Sequence, residues 1–237
     1  MFKKDYEGIS TEFYKNDFSS WTKQDEIEYN NNEIRQKAKY WFFQNSFDYL
    51  SANFVEGDYM EFGCHKARTF RMALSEARKK SFDSMSFYAC DSFEGLPEAS
   101  EIDRFPGWEK GNLKTSEDFF MELIKEHGVY ADKVKTVKGY FSNSLNATLK
   151  NELKSKNTKV AIAYIDSDFY ESARDVLSFL EDFLQEGSVI AFDDWNTYKA
   201  NPNKGEKLAF KEFREKSKWR FEEFLSYGWM GKSFVAY

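Results

Sequence analysis

"VAIAYIDSDFYES", residues 160–172, begins as an unbroken apolar run and ends in two aspartates one residue apart, Asp166 and Asp168. Such a run, ending abruptly in polar residues, is the pattern of a strand buried on both faces, and strands of that kind belong to parallel sheets covered by helices. The segment that follows, "ESARDVLSFLEDFLQEG", repeats apolar residues at helical spacing, so strand passes directly into helix. "GSVIAFDDWN" then repeats the arrangement, running from Gly187 into the adjacent pair Asp193 and Asp194. Ligands of open parallel sheets sit at the carboxyl ends of the strands, so both pairs of aspartates are expected at the ligand edge.

Working outward, the same alternation extends over most of the chain. "DYMEFGC" reads as a strand, "RTFRMALSEARKK" as a helix with a basic end, and "SFYACDSF" as the next strand. "SEDFFMELIKEHG" is a helix opening on Ser116 with acids behind it and stopping at Gly128. "DKVKTVKGYF" holds a further strand, "GEKLAFKEFREK" is helical, and the tail "WRFEEFLSYGWMGKSFVAY" reads as strand, turn and strand. This order predicts a mostly parallel α/β sheet with helices on both faces. Residues 1–56 read as an N-terminal helical extension and 57–237 as the ligand-binding domain. A helix is expected across "DEIEYNNNEIRQKAKYWFFQNSFDYLSAN", with Ile34, Ala38, Trp41, Phe42 and Tyr49 on one face. That face serves either core packing or a surface for a second copy or a substrate. The long stretch "PEASEIDRFPGWEKGNLKT" reads as a lid over the ligand or a surface insertion.

The 237 residues suffice for a sizeable core, and 41% hydrophobic with 31% charged residues is an ordinary globular composition. A net charge of −6 without a long basic run argues against a general nucleic-acid binder. No window approaches the roughly 20 apolar residues of a membrane span. The start "MFKKDYEGIS" lacks the apolar stretch of a signal peptide, and Cys64 and Cys90 alone suggest neither a disulfide framework nor a cysteine zinc site. A cytoplasmic protein with two core thiols is expected.

Three groups of residues carry chemistry. In "EFGCHKART", Glu61 and Gly63 have the acid-then-glycine form of a nucleotide-cofactor loop, with Gly63 allowing close backbone approach. The later glycines of a dinucleotide loop are absent, His65 and Ala67 standing there instead. In "CDSFEGLP", Asp91 ends the second strand, where an acid accepts hydrogen bonds from ribose hydroxyls. Ribose recognition without a pyrophosphate loop favours S-adenosylmethionine over NAD. The third group is Asp166, Asp168, Asp193 and Asp194, whose mutual repulsion a hard divalent ion such as Mg²⁺ would relieve. Asp168 also suits a cap for the helix that follows.

"YMEFGC", "DSFEGLPE", "VKGYFSNSL", "IDSDFYES" and "FDDW" together resemble the macrocin and mycinamicin O-methyltransferases, metal-dependent enzymes that methylate sugar hydroxyls; the resemblance covers about residues 57 to 213. It implies a Rossmann-like class I methyltransferase fold with a mostly parallel seven-stranded sheet, S-adenosylmethionine as donor, and Mg²⁺ at the carboxylates. The cofactor would be lined by Glu61, Gly63, Cys64, His65, Asp91, Ser92, Phe93, Gly139, Tyr140, Phe141 and Asp166, and the metal held by Asp166, Asp193 and Asp194. No histidine lies beyond His127, at a predicted helix end, where the macrolide enzymes have one proposed to act in catalysis. Asp166, Asp168 and Asp194 are the candidate catalytic residues, with Asp168, Asp194 or bulk water as the final proton acceptor. The expected acceptor is a saccharide or glycosylated small molecule, Tyr170 and Trp195 are candidates for stacking on a sugar face, and a homo-oligomer through the N-terminal helix is expected. The competing classes are an NAD(P)-linked oxidoreductase on the same fold and a non-catalytic homologue.

Overall fold

A computed structural model describes residues 21–237; the opening segment "MFKKDYEGIS" and the start of the N-terminal extension lie outside the described residues. One sheet of seven strands organises the molecule. The strands are β1 (Asp58–Phe62), β2 (Phe87–Asp91), β3 (Val134–Lys138), β4 (Val160–Ile165), β5 (Val189–Phe192), β6 (Phe221–Tyr227) and β7 (Gly231–Ala236). Their order is β3-β2-β1-β4-β5-β7-β6. All neighbours pair in parallel except β7, which is antiparallel to both β5 and β6; a tight turn joins β6 to β7. β1 and β4, side by side at the centre, place the end of β1 next to Asp166.

The helices are α1 (Lys23–Asn30), α2 (Lys37–Ala52), α3 (Arg68–Lys79), α4 (Glu117–His127), the short α5 (Phe141–Ser144), α6 (Ala147–Ser155), α7 (Tyr170–Leu180) and α8 (Gly205–Lys216). A π-helical segment, Asn31–Gln36, joins α1 to α2. Ser116 caps α4 by accepting from the Phe119 amide at 3.3 Å, and Gly128 ends it at φ 74°, as the sequence predicts. One core lies between α2, α3, α4 and the sheet, and a second lies on the other face under α7 and α8.

Of the face expected on the N-terminal helix, Phe42 is buried and Ala38 and Tyr49 pack against the core, but Ile34 and Trp41 do not join them. The buried residues of α2 are Lys39, Phe42, Phe43, Ser46, Phe47 and Leu50, whereas Ile34 and Trp41 are 53% and 46% exposed. Extrapolating a single α-helical period from Ile34 misses the turn because the π segment adds backbone per turn and rotates everything beyond it. Phe42 and Phe43 pack on Tyr164, and Phe43 on Tyr59, so α2 belongs to the core of the sheet domain. Ile27, Ile34 and Trp41 are left exposed.

Candidate active site

A cavity of about 460 Å³ opens at the carboxyl ends of the central strands, within the usual size range for small-molecule sites. Its first wall is built by the β1 and β2 ends. Gly63 has φ 91°, and a Cβ there would stand 1.9 Å from the carbonyl oxygen of Asp166. The glycine is therefore demanded by the approach of the β1 loop to the end of β4. Asp91 organises the neighbouring backbone. One of its carboxylate oxygens accepts from the Cys64 amide at 2.7 Å and the His65 amide at 3.3 Å, and the other accepts from the Phe93 amide at 2.7 Å. A carboxylate has about four lone-pair sites, so Asp91 retains capacity for hydroxyl donors. The half-buried His65 bonds through Nδ1 to the Leu113 carbonyl at 2.7 Å and Thr115 Oγ1 at 3.1 Å. Burial holds its pKa below the usual value, which suits a neutral ring tying down the 94–114 loop.

Of the residues expected around a cofactor, Gly63, His65, Asp91, Ser92, Tyr140, Phe141 and Asp166 line this cavity. Glu61, Cys64, Phe93 and Gly139 do not. Strand alternation turns Glu61 to the face of Tyr59, where it accepts from the Tyr59 hydroxyl and from Thr69 Oγ1, the latter at 2.7 Å. Burial there raises its pKa to about 8. Cys64 and Phe93 contribute backbone amides to Asp91 while their side chains are buried, the Phe93 ring against Phe120. Gly139 donates its amide to the Asp91 carbonyl at 2.9 Å. These residues shape the wall from behind.

The floor is acidic. Asp166, Asp168 and Asp194 each offer a carboxylate oxygen, all within 4.8 Å of one another. Burial first, and then the neighbouring carboxylates, push Asp166 and Asp168 well above the ordinary carboxylate range and Asp194 up to about 6. Of the expected metal set Asp166, Asp193 and Asp194, this close group holds Asp166 and Asp194, while Asp193 lines the same cavity with its oxygens paired elsewhere. It turns to the α2 side of the sheet, where its Oδ1 accepts from the Tyr164 hydroxyl at 2.6 Å and its Oδ2 from Lys39 Nζ at 2.5 Å. Adjacent residues leaving a strand point to opposite sides, so Asp193 and Asp194 have different neighbours.

The cap that the sequence offers in Asp168 is supplied from elsewhere. Asp168 has φ 61°, and the first amide of α7, that of Tyr170, donates to Asp103 Oδ2 at 2.6 Å. Asp103 also accepts from the Gly205 amide at 3.2 Å, so one fully buried carboxylate serves the starts of both α7 and α8. Tyr198 ties its hydroxyl to the backbone carbonyls of Asp103 and Asp168, at 3.2 and 3.1 Å. Glu206 performs a similar task beneath the floor, accepting from the Asp194 amide at 2.9 Å and the Ser167 amide at 3.4 Å. Neither Asp103 nor Glu206 stands out in the sequence, where each is simply an acid near the start of a helical turn. Lys39 is equally inconspicuous.

The roof comes from the 94–114 loop. Its base is closed by the Leu96 amide donating to the Asn112 carbonyl and the Gly111 amide to the Leu96 carbonyl, each at 2.9 Å. Trp108 packs on Phe169 and Tyr198, and Phe105 on Tyr198. Phe105, Trp108 and Trp229 line the cavity, whereas Trp195 packs among Phe192, Phe210 and Phe234 and Tyr170 bonds Glu212. The aromatic side chains at the cavity are therefore Phe105 and Trp108 of the roof together with Tyr140, Phe141 and Trp229.

The sequence profile of the macrocin-O-methyltransferase (TylF) family matches residues 33–223. The chain belongs to that family. Among characterised relatives it is 25% identical, over 150 residues, to 8-demethyl-8-(2,3-dimethoxy-alpha-L-rhamnosyl)-tetracenomycin-C 4'-O-methyltransferase of Streptomyces olivaceus, covering 61% of this chain and 55% of the relative. The chain spans about half the length of the curated relatives it matches. The O-methyltransferase NovP superposes with a TM-score of 0.68 at 20% identity, covering 84% of this chain and 79% of NovP. The calicheamicin methyltransferase CalS11 gives 0.69 at 19% identity, covering 98% and 91%. The macrocin-O-methyltransferase family assignment and these superpositions establish the class I methyltransferase fold. They replace the dinucleotide-oxidoreductase alternative.

Proposed function

We propose that this chain is an S-adenosylmethionine-dependent O-methyltransferase acting on a hydroxyl of a sugar or glycosylated small molecule, with Mg²⁺ held by Asp166, Asp168 and Asp194. The observation that carries the reading is one cavity with two unlike halves, a ribose-type wall around Asp91 and a carboxylate floor beside it. The donor set suits the ion. Its oxygens are hard, closely spaced and mutually repelling, and Ser167 Oγ, buried beside them, has no hydrogen-bond partner among the described residues. A bound divalent cation would lower the pKa of an acceptor hydroxyl and fix its direction. Asp91, with Gly63 and Ser92 alongside, would hold the donor ribose.

Methyl transfer is an in-line displacement, so the protein's main task is to hold the acceptor oxygen roughly 3 Å from the methyl carbon. Asp166 lines both halves and sets their separation through the backbone contact with Gly63. The floor carboxylates receive the hydroxyl proton, and Phe105 and Trp108 cover the sugar and exclude water. Incubating the protein with methyl-labelled donor, Mg²⁺ and a panel of nucleotide sugars and glycosylated small molecules tests the assignment. Label should pass to a saccharide and stop on chelation. Transfer that survives exhaustive chelation removes the metal, and no binding of the donor removes the methyltransferase reading.

A further inference from the structure

We propose that a second groove, running along α8, binds an extended anionic saccharide, a chain whose sugar units carry acid groups. That the ligand is a saccharide rests on the sugar O-methyltransferase reading, whereas its negative charge follows from the groove alone. The groove, of about 630 Å³, lies between α8 and the paired ends of β6 and β7, where the Arg220 and Tyr237 backbones exchange hydrogen bonds at 3.0 and 2.9 Å. It shares no lining residue with the first cavity, yet it begins at Trp195, next in the chain to Asp194 of the floor. Asn196 ties the two together. Its Oδ1 accepts from Lys207 Nζ at 2.8 Å, and its Nδ2 donates at 2.9 Å to the carbonyl of Trp229, which lines the first cavity.

Four cations line the groove, Lys207, Lys211, Arg214 and Arg220, beside the single side-chain carboxylate of Glu215. Among the described residues none of the four has an ion pair. Two are held over aromatic rings instead, Lys207 over Trp195 and Arg214 over Phe210, each 5.6 Å from the ring centre. A ring steadies a cation without cancelling its charge, so these groups are aimed yet keep their affinity for an anion. Lys207 spends two of its three donors on Asn196 and the Ala200 carbonyl, and burial followed by Lys232 holds its pKa below the ordinary lysine value. Its charge is therefore not neutralised from within the fold.

The spacing selects an extended ligand. Lys207, Lys211 and Arg214 recur at intervals of four and three residues on α8, so they form one row about 10 Å long. A lone phosphate cannot span that row, whereas a chain with acids on successive units can. Trp195 stands beside Lys207, and Trp219, its Nε1 fixed on the Glu181 carbonyl at 3.3 Å, follows the end of α8. Both rings are half-buried and offer surface to the apolar faces of sugars. Four cations on a chain of net charge −6 are few for nucleic acid, whose affinity grows with the number of phosphates neutralised.

The test is binding of labelled hexagalacturonate and of a heparin hexasaccharide by fluorescence anisotropy, without donor or Mg²⁺, with maltohexaose and hexathymidylate as controls. At least one acidic saccharide should bind, and both controls should bind about tenfold more weakly or not at all. Lys211→Ser/Arg214→Ser, at two exposed positions, should lose about tenfold or more with the charge-assisted bonds. Trp219→Ala should lose about threefold or more with the ring contact. Donor affinity should be unchanged in both variants. Failure of both acidic saccharides to bind overturns the proposal, as does binding that the double variant leaves unchanged. Full affinity in a folded Trp219→Ala, or equal affinity for hexathymidylate, reduces the groove to a charged patch and overturns the saccharide assignment. Should Trp219→Ala fail to fold, the hexathymidylate comparison decides. A wild type that binds the acidic saccharide but no donor overturns the methyltransferase reading and leaves the groove standing, whereas one that binds donor but neither saccharide overturns this proposal alone.

Discussion

The contact between Gly63 and Asp166 makes a sharp test of how the two halves of the cavity are joined. Substituting alanine at Gly63 places a methyl group 1.9 Å from a backbone carbonyl oxygen, at a residue whose φ is 91°. The left-handed backbone costs about 1–2 kcal/mol for a residue with a Cβ, and overpacking against backbone adds about 1–3 kcal/mol. The sum is a loss of about 2–5 kcal/mol, or a fall of roughly 4–20 °C in Tm for a chain of this size. Gly107→Ala is the matched control, since Gly107 has φ 87° but nothing within 4 Å of the added Cβ. That substitution should show the conformational cost alone. Thermal unfolding of both variants, with donor affinity measured for whatever folds, separates the two effects. Equal Tm shifts for Gly63→Ala and Gly107→Ala would refute the claim that the Asp166 carbonyl dictates the glycine.

Asp91→Ala should weaken S-adenosylmethionine binding by about tenfold to a hundredfold, from loss of charge-assisted hydrogen bonds worth about 1.5–3 kcal/mol, with turnover at saturating donor less affected. An unchanged dissociation constant in a folded variant would take Asp91 out of the cofactor site. Asp103→Ala removes the acceptor shared by the first amides of α7 and α8 and should cost about 1–2 kcal/mol, with faster proteolysis in the 94–114 loop; unaltered cleavage would show that Asp103 does not anchor the roof. Glu61 titrates at about 8 in the fold against 4.5 ordinarily, chiefly through burial. A raised folded pKa means its contribution is complete below about pH 4.5 and is lost as pH rises through about 8, so urea midpoints should fall across that window. Glu61→Gln should flatten the fall, and an identical pH profile in the variant would contradict the burial argument.

Much of the architecture was legible in the chain itself, because periodicity is a local property. The apolar run of 160–165 and the helix signal after it demanded a buried strand in a parallel sheet, and the same pattern at Gly187 supplied its neighbour. Helix limits at Ser116 and Gly128 were equally local, since caps are matters of a few adjacent residues. That aspartates would gather at the ligand edge followed from their places at strand ends. Which of them share a site did not, for that depends on the direction each leaves the sheet and on what waits there.

Tertiary structure made those choices. Lys39 and Tyr164, from elements far apart in the chain, take the two carboxylate oxygens of Asp193, while Asp166, Asp168 and Asp194 turn to one another. Asp103 travels from a distant loop to cap two helices, freeing Asp168 from the local role its position suggested. Glu61, an acid in a cofactor-type motif, is taken by Tyr59 and Thr69 behind the wall. In each case a buried polar group must find a partner or bear a large desolvation cost. The nearest available partner is set by packing across the chain, which no local pattern records.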